Sequence, residues 1–171
     1  PFLQVSSIGN SVLNKSIPEV LIGIGDKRVA YNGSFHANEW ITTPTIMTFL
    51  NDYALSLTNQ TTIRGLITSP LYEQTSLSIV PMVNPDGVNL VLNGPPELEP
   101  YRSNVIQWNN NSLDFSGWKA NINGVDLNDQ FPAEWEKERE RNPKTPGPRD
   151  YGGESPLSQP EAIAMADLTR R

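Results

Sequence analysis

The 171-residue chain has no cysteine and a single histidine, His36. The first absence excludes disulfides, thiolate metal sites and cysteine nucleophiles together. It does not locate the protein, because a cysteine-free chain suits a reducing or an oxidising compartment. The second excludes any site built from two imidazoles of this sequence. No stretch approaches the roughly 20 consecutive apolar residues that a membrane-spanning helix needs. Positive charge is also scarce: 13 Lys and Arg against 19 Asp and Glu leave a net charge of −6. General electrostatic binding to nucleic acid therefore has no basis. The chain opens on Pro1-Phe2-Leu3, which is neither an initiator Met nor the basic-then-apolar start of a signal peptide. It is accordingly expected to be a piece of a longer protein, in which a leader or another domain could precede Pro1. Compartment and oligomeric state are left open.

What is present is the balance of a globular domain, 37% hydrophobic and 19% charged, with 15 Pro and 12 Gly that imply much loop. Val20 to Ile24 is a short apolar run between Pro18 and Gly25 and reads as a buried strand. Arg28 to Phe35 reads as a second strand, and Leu77 to Val83 as a third that ends in the turn Asn84-Pro85-Asp86-Gly87. Ile41 to Leu57 is helical by its stripe of Ile46, Phe49, Leu50, Tyr53, Ala54 and Leu57. Asn93 to Asn111 is loop-like, Glu134 to Arg141 a solvated charged helix, and Asn142 to Gly153 an irregular loop. Ser158 is placed to cap a last helix, with Pro160 and Glu161 in its first turn. The alternation predicts an α/β fold with a mixed, largely parallel sheet flanked by helices. In such sheets ligands gather at the carboxyl ends of strands.

His36 follows a predicted strand, and Glu39 lies three residues on, at a helix entrance. Neutral imidazole and carboxylate are both good zinc ligands. The H-x-x-E pair alone reads equally as a capping Glu beside a loop His, and it is not the H-E-x-x-H pattern of two histidines on one helix face.

The surrounding sequence narrows the choice. Phe35-His36-Ala37-Asn38-Glu39-Trp40-Ile41-Thr42 resembles the H-A-R-E-W-I-T/S signature of zinc carboxypeptidases. Val83 to Gly87 resembles their N-P-D-G segment. Trp118-Lys119-Ala120-Asn121 with Gly124-Val125-Asp126-Leu127-Asn128 resembles their W-R/K-x-N and G-V-D-A/L-N-R-N segments. Tyr151-Gly152-Gly153 with Pro156, Ser158 and Glu161 resembles the stretch leading into their next helix. These segments span about residues 20 to 171. The run Gly-Val-Asp-Leu-Asn-Asp-Gln further resembles the bacterial subgroup that cleaves γ-D-glutamyl-diamino acid (diaminopimelate) bonds of cell-wall peptides.

The resemblance implies that His36 and Glu39 are zinc ligands, that Asn128 helps to bind substrate and that Lys119 stabilises the developing oxyanion. Other readings stay open: a surface lysine for Lys119, and turn caps for Asn128 and Asp129. Two departures bear on specificity. Asp129 stands where the family has an Arg that clamps a terminal carboxylate, and it would favour an ammonium instead. Asn38 stands where the first signature has Arg, which removes another anion contact at a substrate-binding position. The family's third ligand, a downstream His, and its general-base Glu are expected after Arg171, together with further strands. Residues 1–171 are then a partial zinc-peptidase domain, inactive alone, whose parent hydrolyses peptides derived from peptidoglycan. Rival readings are a related zinc deacylase, against which Ala37 and the N-P-D-G segment argue, and a non-catalytic peptide-binding domain.

Overall fold

The computed structural model describes residues 2–171. In chain order the elements are β1 (Leu3–Asn10), β2 (Ser16–Gly23), β3 (Lys27–Asn32), α1 (Thr42–Asn59), β4 (Thr62–Ile63), β5 (Leu66–Ile67), α2 (Ser69–Gln74) and β6 (Thr75–Val80). Helices α3 (Pro85–Asn93), α4 (Tyr101–Trp108), α5 (Trp135–Arg141) and α6 (Pro160–Thr169) follow. The main sheet has the order β1-β2-β6-β3. It is mixed, as expected: β3 lies parallel to β6, while β2 runs antiparallel to both β1 and β6.

Alternation sets the two faces of this sheet. Val20 and Ile22 of β2 and Leu77 and Ile79 of β6 point to one side, where they bury Leu50, Tyr53 and Leu57 of α1. Phe49, on the predicted stripe, stays exposed and instead meets the edge residue Tyr31, with ring centroids 6.5 Å apart. At one end of the sheet, Ile8, Ile17, Val80 and Val83 pack with Leu127, Ala162, Ala164 and Met165 and seat α6. A third cluster gathers Leu90, Val105, Phe115, Trp118 and Ile122 around Ala37.

Several predicted boundaries move. The second and third strands end earlier than predicted, at Asn32 and Val80. Asn84 to Gly87 is no free turn: Asn84 caps α3 by accepting from the Gly87 amide at 2.9 Å, and Pro85 supplies the first helical φ. A Cβ on Gly87 would lie 2.6 Å from the Asn84 amide nitrogen, so the cap requires glycine there. The polar stretch 93–111 contains α4, which buries Val105. Helix α6 is capped at Gln159 rather than Ser158.

The hairpin joining β1 and β2 is tied down by two buried carboxylates. Asp86 accepts from the Leu13 amide at 2.8 Å, with the Lys15 ammonium 3.2 Å from its other oxygen. Glu161 accepts from the Val12 amide at 3.1 Å and from Asn121 at 3.2 Å. Burial, chiefly, raises the Glu161 carboxyl above its ordinary 4.5, and the Asp86 charge adds to this while the hydrogen bonds oppose it. A carboxyl raised in the fold contributes stability that is complete below its unfolded value and is lost as pH rises through the folded one. The stability of the wild-type chain is therefore expected to fall from pH 4.5 upward in part through Glu161. Urea denaturation across pH should show a flatter profile for Glu161→Gln; an unchanged profile would refute this assignment.

Candidate functional site

Beyond Asn32 the chain leaves the sheet and is pinned from both sides. The Ser34 amide donates to Thr42 Oγ1 at 2.7 Å, the Asn84 amide donates to the Ser34 carbonyl at 3.0 Å, and the Ala37 amide donates to the Lys119 carbonyl at 2.9 Å. His36 is thus held in extended backbone at the head of a 3-10 turn, Ala37–Glu39, that leads into α1. A second 3-10 turn, Leu127–Gln130, approaches it from the far side. Between the two lies an open cleft of about 450 Å³ lined by His36, Glu39 and Asn128, with Phe35, Phe131 and Met165 among its apolar walls. A more apolar groove of about 370 Å³ on the sheet face turned away from α1 presents one acidic side chain, Glu19, whose Oε1 already accepts from Ser78 at 2.6 Å.

The imidazole of His36 sits between two carboxylates. Its Nδ1 is 3.1 Å from Glu39 Oε1, and its Nε2 is 3.2 Å from Asp126 Oδ1. The Asp126 side chain is only 4% exposed, that of His36 15% and that of Glu39 50%. Asp126 is fixed further by the amides of Asn128 and Asp150, each at 3.1 Å. A neutral imidazole carries one N–H. With an oxygen against each nitrogen, one contact sets lone pair against lone pair unless a positive charge is shared there. A proton or a metal cation satisfies that requirement, and the Glu39 side opens to the cleft. One imidazole and one carboxylate suit zinc, whose catalytic sites take three protein ligands. Among the described residues no group of three His, Cys, Asp or Glu side chains is placed to hold a metal. The residues present therefore fit zinc as a two-donor part of a site, with Asp126 orienting the histidine.

The other predicted site residues, Asn38, Lys119 and Asp129, are not on the lining of this cleft. Asn38 occupies the 3-10 turn between the two donors, and its Oδ1 is buried without a hydrogen-bond partner among the described residues. Lys119 is placed by its backbone: its amide donates to the Pro148 carbonyl at 2.8 Å. Asp129 follows the cleft residue Asn128, and its Oδ2 accepts from Asn142 at 3.1 Å. Its carboxyl is raised first by burial and then by the charges of Asp126, Asp150 and Glu138, with His36 acting in the opposite sense.

Asp126 was not singled out from the sequence. The available signal was a carboxylate in the Gly-Val-Asp-Leu-Asn segment, since a ligating histidine ordinarily gives its second nitrogen to such a group.

Comparison with known proteins agrees with the fold and the motifs. The family model described as zinc carboxypeptidase matches residues 1–171, and the chain belongs to that family. It is 75% identical over 170 residues to gamma-D-glutamyl-L-diamino acid endopeptidase 1 of Lysinibacillus sphaericus, covering 99% of this chain and 43% of that protein. It is 48% identical to the Bacillus subtilis protein YqgT, covering 98% and 45%. The chain thus spans less than half the length of these curated relatives. Carboxypeptidase A from Helicoverpa armigera shares the fold, with a TM-score of 0.65 at 21% identity over 98% of this chain and 37% of that one.

Removing the Asp126 carboxylate should cost stability well before any chemistry is considered. Asp126→Ala leaves the amides of Asn128 and Asp150 and a histidine nitrogen without their acceptor; a buried group left unpaired costs about 1–3 kcal/mol, and these part-buried ones lie at the low end of that range. Urea unfolding should register a loss of at least about 2 kcal/mol, against about 0.5 kcal/mol or less for Asn128→Ala, whose side chain is exposed.

Proposed function

We propose that this chain supplies part of the active site of a zinc-dependent peptidase that cleaves γ-D-glutamyl-diamino acid bonds in peptides derived from bacterial peptidoglycan. The observation that carries the proposal is the placement of His36, between Asp126 and the cleft-facing Glu39, across the cleft from Asn128. The 75% identity to the L. sphaericus endopeptidase supports the substrate class.

In this reading His36 and Glu39 hold the metal from one wall of the cleft. Asp126 keeps the imidazole turned so that Nδ1 faces the cleft. Zinc, when bound, supplies Lewis-acid polarisation of a carbonyl and of water. Asn128 hydrogen-bonds the substrate. Lys119 offers a point charge to the oxyanion that develops during acyl transfer, without the two-pronged donor set of an Arg. Asn38, without a partner among the described residues for its buried Oδ1, contributes to substrate binding in place of an anion-binding Arg. The remaining ligand and the general base come from outside the two donors described, so the 171-residue chain by itself binds zinc weakly and is inactive. A second reading is a peptide-binding domain that keeps the cleft of His36, Glu39 and Asn128 without chemistry.

Isothermal titration separates these alternatives at the metal. The chain should bind zinc no tighter than the micromolar range, and His36→Ala should abolish even that. Nanomolar affinity in the chain alone would show an overlooked ligand. In the complete gene product His36→Ala and Glu39→Ala should remove hydrolysis, while Glu134→Ala, at the N-cap of α5, should not. A wild-type product that binds the peptide and never cleaves it would favour the non-catalytic reading.

Specificity rests on charge. Asp129 is proposed to read the side-chain ammonium of the diamino acid. A unit charge about 4 Å from another in a partly shielded cleft gains or loses on the order of 4 kcal/mol at an effective dielectric near 20, before desolvation. Even about 1.4 kcal/mol of that is tenfold in affinity. Asp129→Arg should slow cleavage of a γ-D-glutamyl-diaminopimelate peptide and speed release of a C-terminal hydrophobic residue. An unchanged ratio of the two rates would remove Asp129 from recognition.

A further inference from the structure

Gln130 closes the turn that carries Asn128, and its side chain is wholly buried. Its Oε1 accepts from the amides of Ser158 at 2.7 Å and Gln159 at 2.9 Å, and from the Ser158 hydroxyl at 3.1 Å. Its Nε2 donates to the carbonyls of Gly152 and Ser155. Its own carbonyl accepts from the Leu157 amide at 2.7 Å. One side-chain amide thus uses both its donor and its acceptor to bind segment 152–159. That segment is shaped to receive it: Gly153 has φ +83°, and a Cβ there would lie 2.6 Å from Nε2. Gln159, at the head of α6, makes no side-chain cap of its own, and the Gln130 oxygen takes the two amides just ahead of the helix, those of Ser158 and Gln159. At the other end of the same turn, Asp126 is fixed against His36 and the Asp150 amide.

We infer that Gln130 is the positioning residue for Asn128. Its amide fixes the far end of the turn to segment 152–159, so that the Asn128 side chain is presented to the cleft in one orientation while Asp126 fixes the near end. A helix cap alone needs only an acceptor. The paired use of donor and acceptor toward the whole segment is what locks the turn, and it requires an amide of this length. Gln130→Glu keeps the size but sets an oxygen against the carbonyls of Gly152 and Ser155, whereas Gln130→Ala removes every side-chain bond.

The kinetic consequence rests on the peptidase reading, and the placement of Asn128 does not. In the complete gene product both variants should raise KM for a γ-D-glutamyl-diaminopimelate peptide at least tenfold and leave kcat within about twofold, because His36 and Asp126 lie at the undisturbed end. In the 171-residue chain, ¹⁵N relaxation dispersion should detect exchange at the Asn128 amide of the variants and none in wild type. A lower melting temperature with unchanged KM and a quiet Asn128 amide would reduce Gln130 to a cap and overturn the inference. A fall in kcat at unchanged KM would overturn it too, by showing an action through His36. If the wild-type product cleaves no such peptide, the proposed function fails while the Asn128 amide still decides the positioning role: exchange sustains it and a quiet amide refutes it. Should Gln130→Ala not fold, Gln130→Asn, one methylene too short to reach both partners, is scored by the same criteria.

Discussion

The buried carboxylate of Asp126 is the contact on which the site depends. An ionised group taken out of water survives only when its oxygens are occupied by donors or cations. Asp126 meets that condition by collecting the Asn128 amide, the Asp150 amide and the His36 ring nitrogen. The Asn128 amide belongs to Asp126's own turn, but His36 and Asp150 come from other segments, so satisfying one charge ties the histidine turn and the loop before Tyr151 to the turn that carries Asn128. The Tyr151 carbonyl reinforces the junction by accepting from the Asp126 amide at 2.8 Å. Geometry around His36 and stability of the fold therefore draw on the same bonds.

Other buried polar groups follow the same logic. Asn84 donates to the Ala120 carbonyl at 3.1 Å while capping α3, and Asn121 donates to both Gln159 and Glu161. Each of these residues belongs to a segment that resembles the family signature. Their chemistry is that of an amide or carboxylate saturating loop backbone at the ends of strands, where irregular chain would otherwise leave N–H and C=O groups unpaired. The motifs are thus largely the scaffold that holds a few reactive groups in place.

This explains what the sequence disclosed. Val20 to Ile24 and Leu77 to Val83 are short apolar runs bounded by turn residues, and α1 carries a helical stripe, so the inner strands and their covering helix were legible from run length and periodicity. His36, Glu39 and Asn128, which line one cleft, were singled out through the resemblance of their segments, since the H-x-x-E spacing alone leaves a capping role open. Strand β1 was not: most of Leu3–Asn10 is exposed, and it is defined by its ladder to β2 rather than by an apolar face. Helix α4 was obscured by its polar composition, because Val105 alone of its residues is buried. The first turn of α3 looked like a free turn because Asn, Pro and Gly serve caps as readily as turns. Asp126 and Gln130 escaped notice because their roles lie in partners remote in sequence, which spacing cannot display.

The sign of the charge around the cleft constrains what can occupy it. Asp126, Asp129, Asp150 and Glu138 are close enough that three of them raise the carboxyl of the fourth, Asp129, and the chain as a whole carries −6. Clustered carboxylates beside low-dielectric walls focus a negative potential, which concentrates cations and repels anions. In the proposed reading, a cation held by His36 and Glu39 and an ammonium reaching Asp129 would both be favoured by this field. A free terminal carboxylate would enter against the same field, with Asn38 and Asp129 standing where an anion-binding site would place arginines. Metal binding and substrate choice, as proposed, would then follow from one distribution of charge rather than from two separate devices.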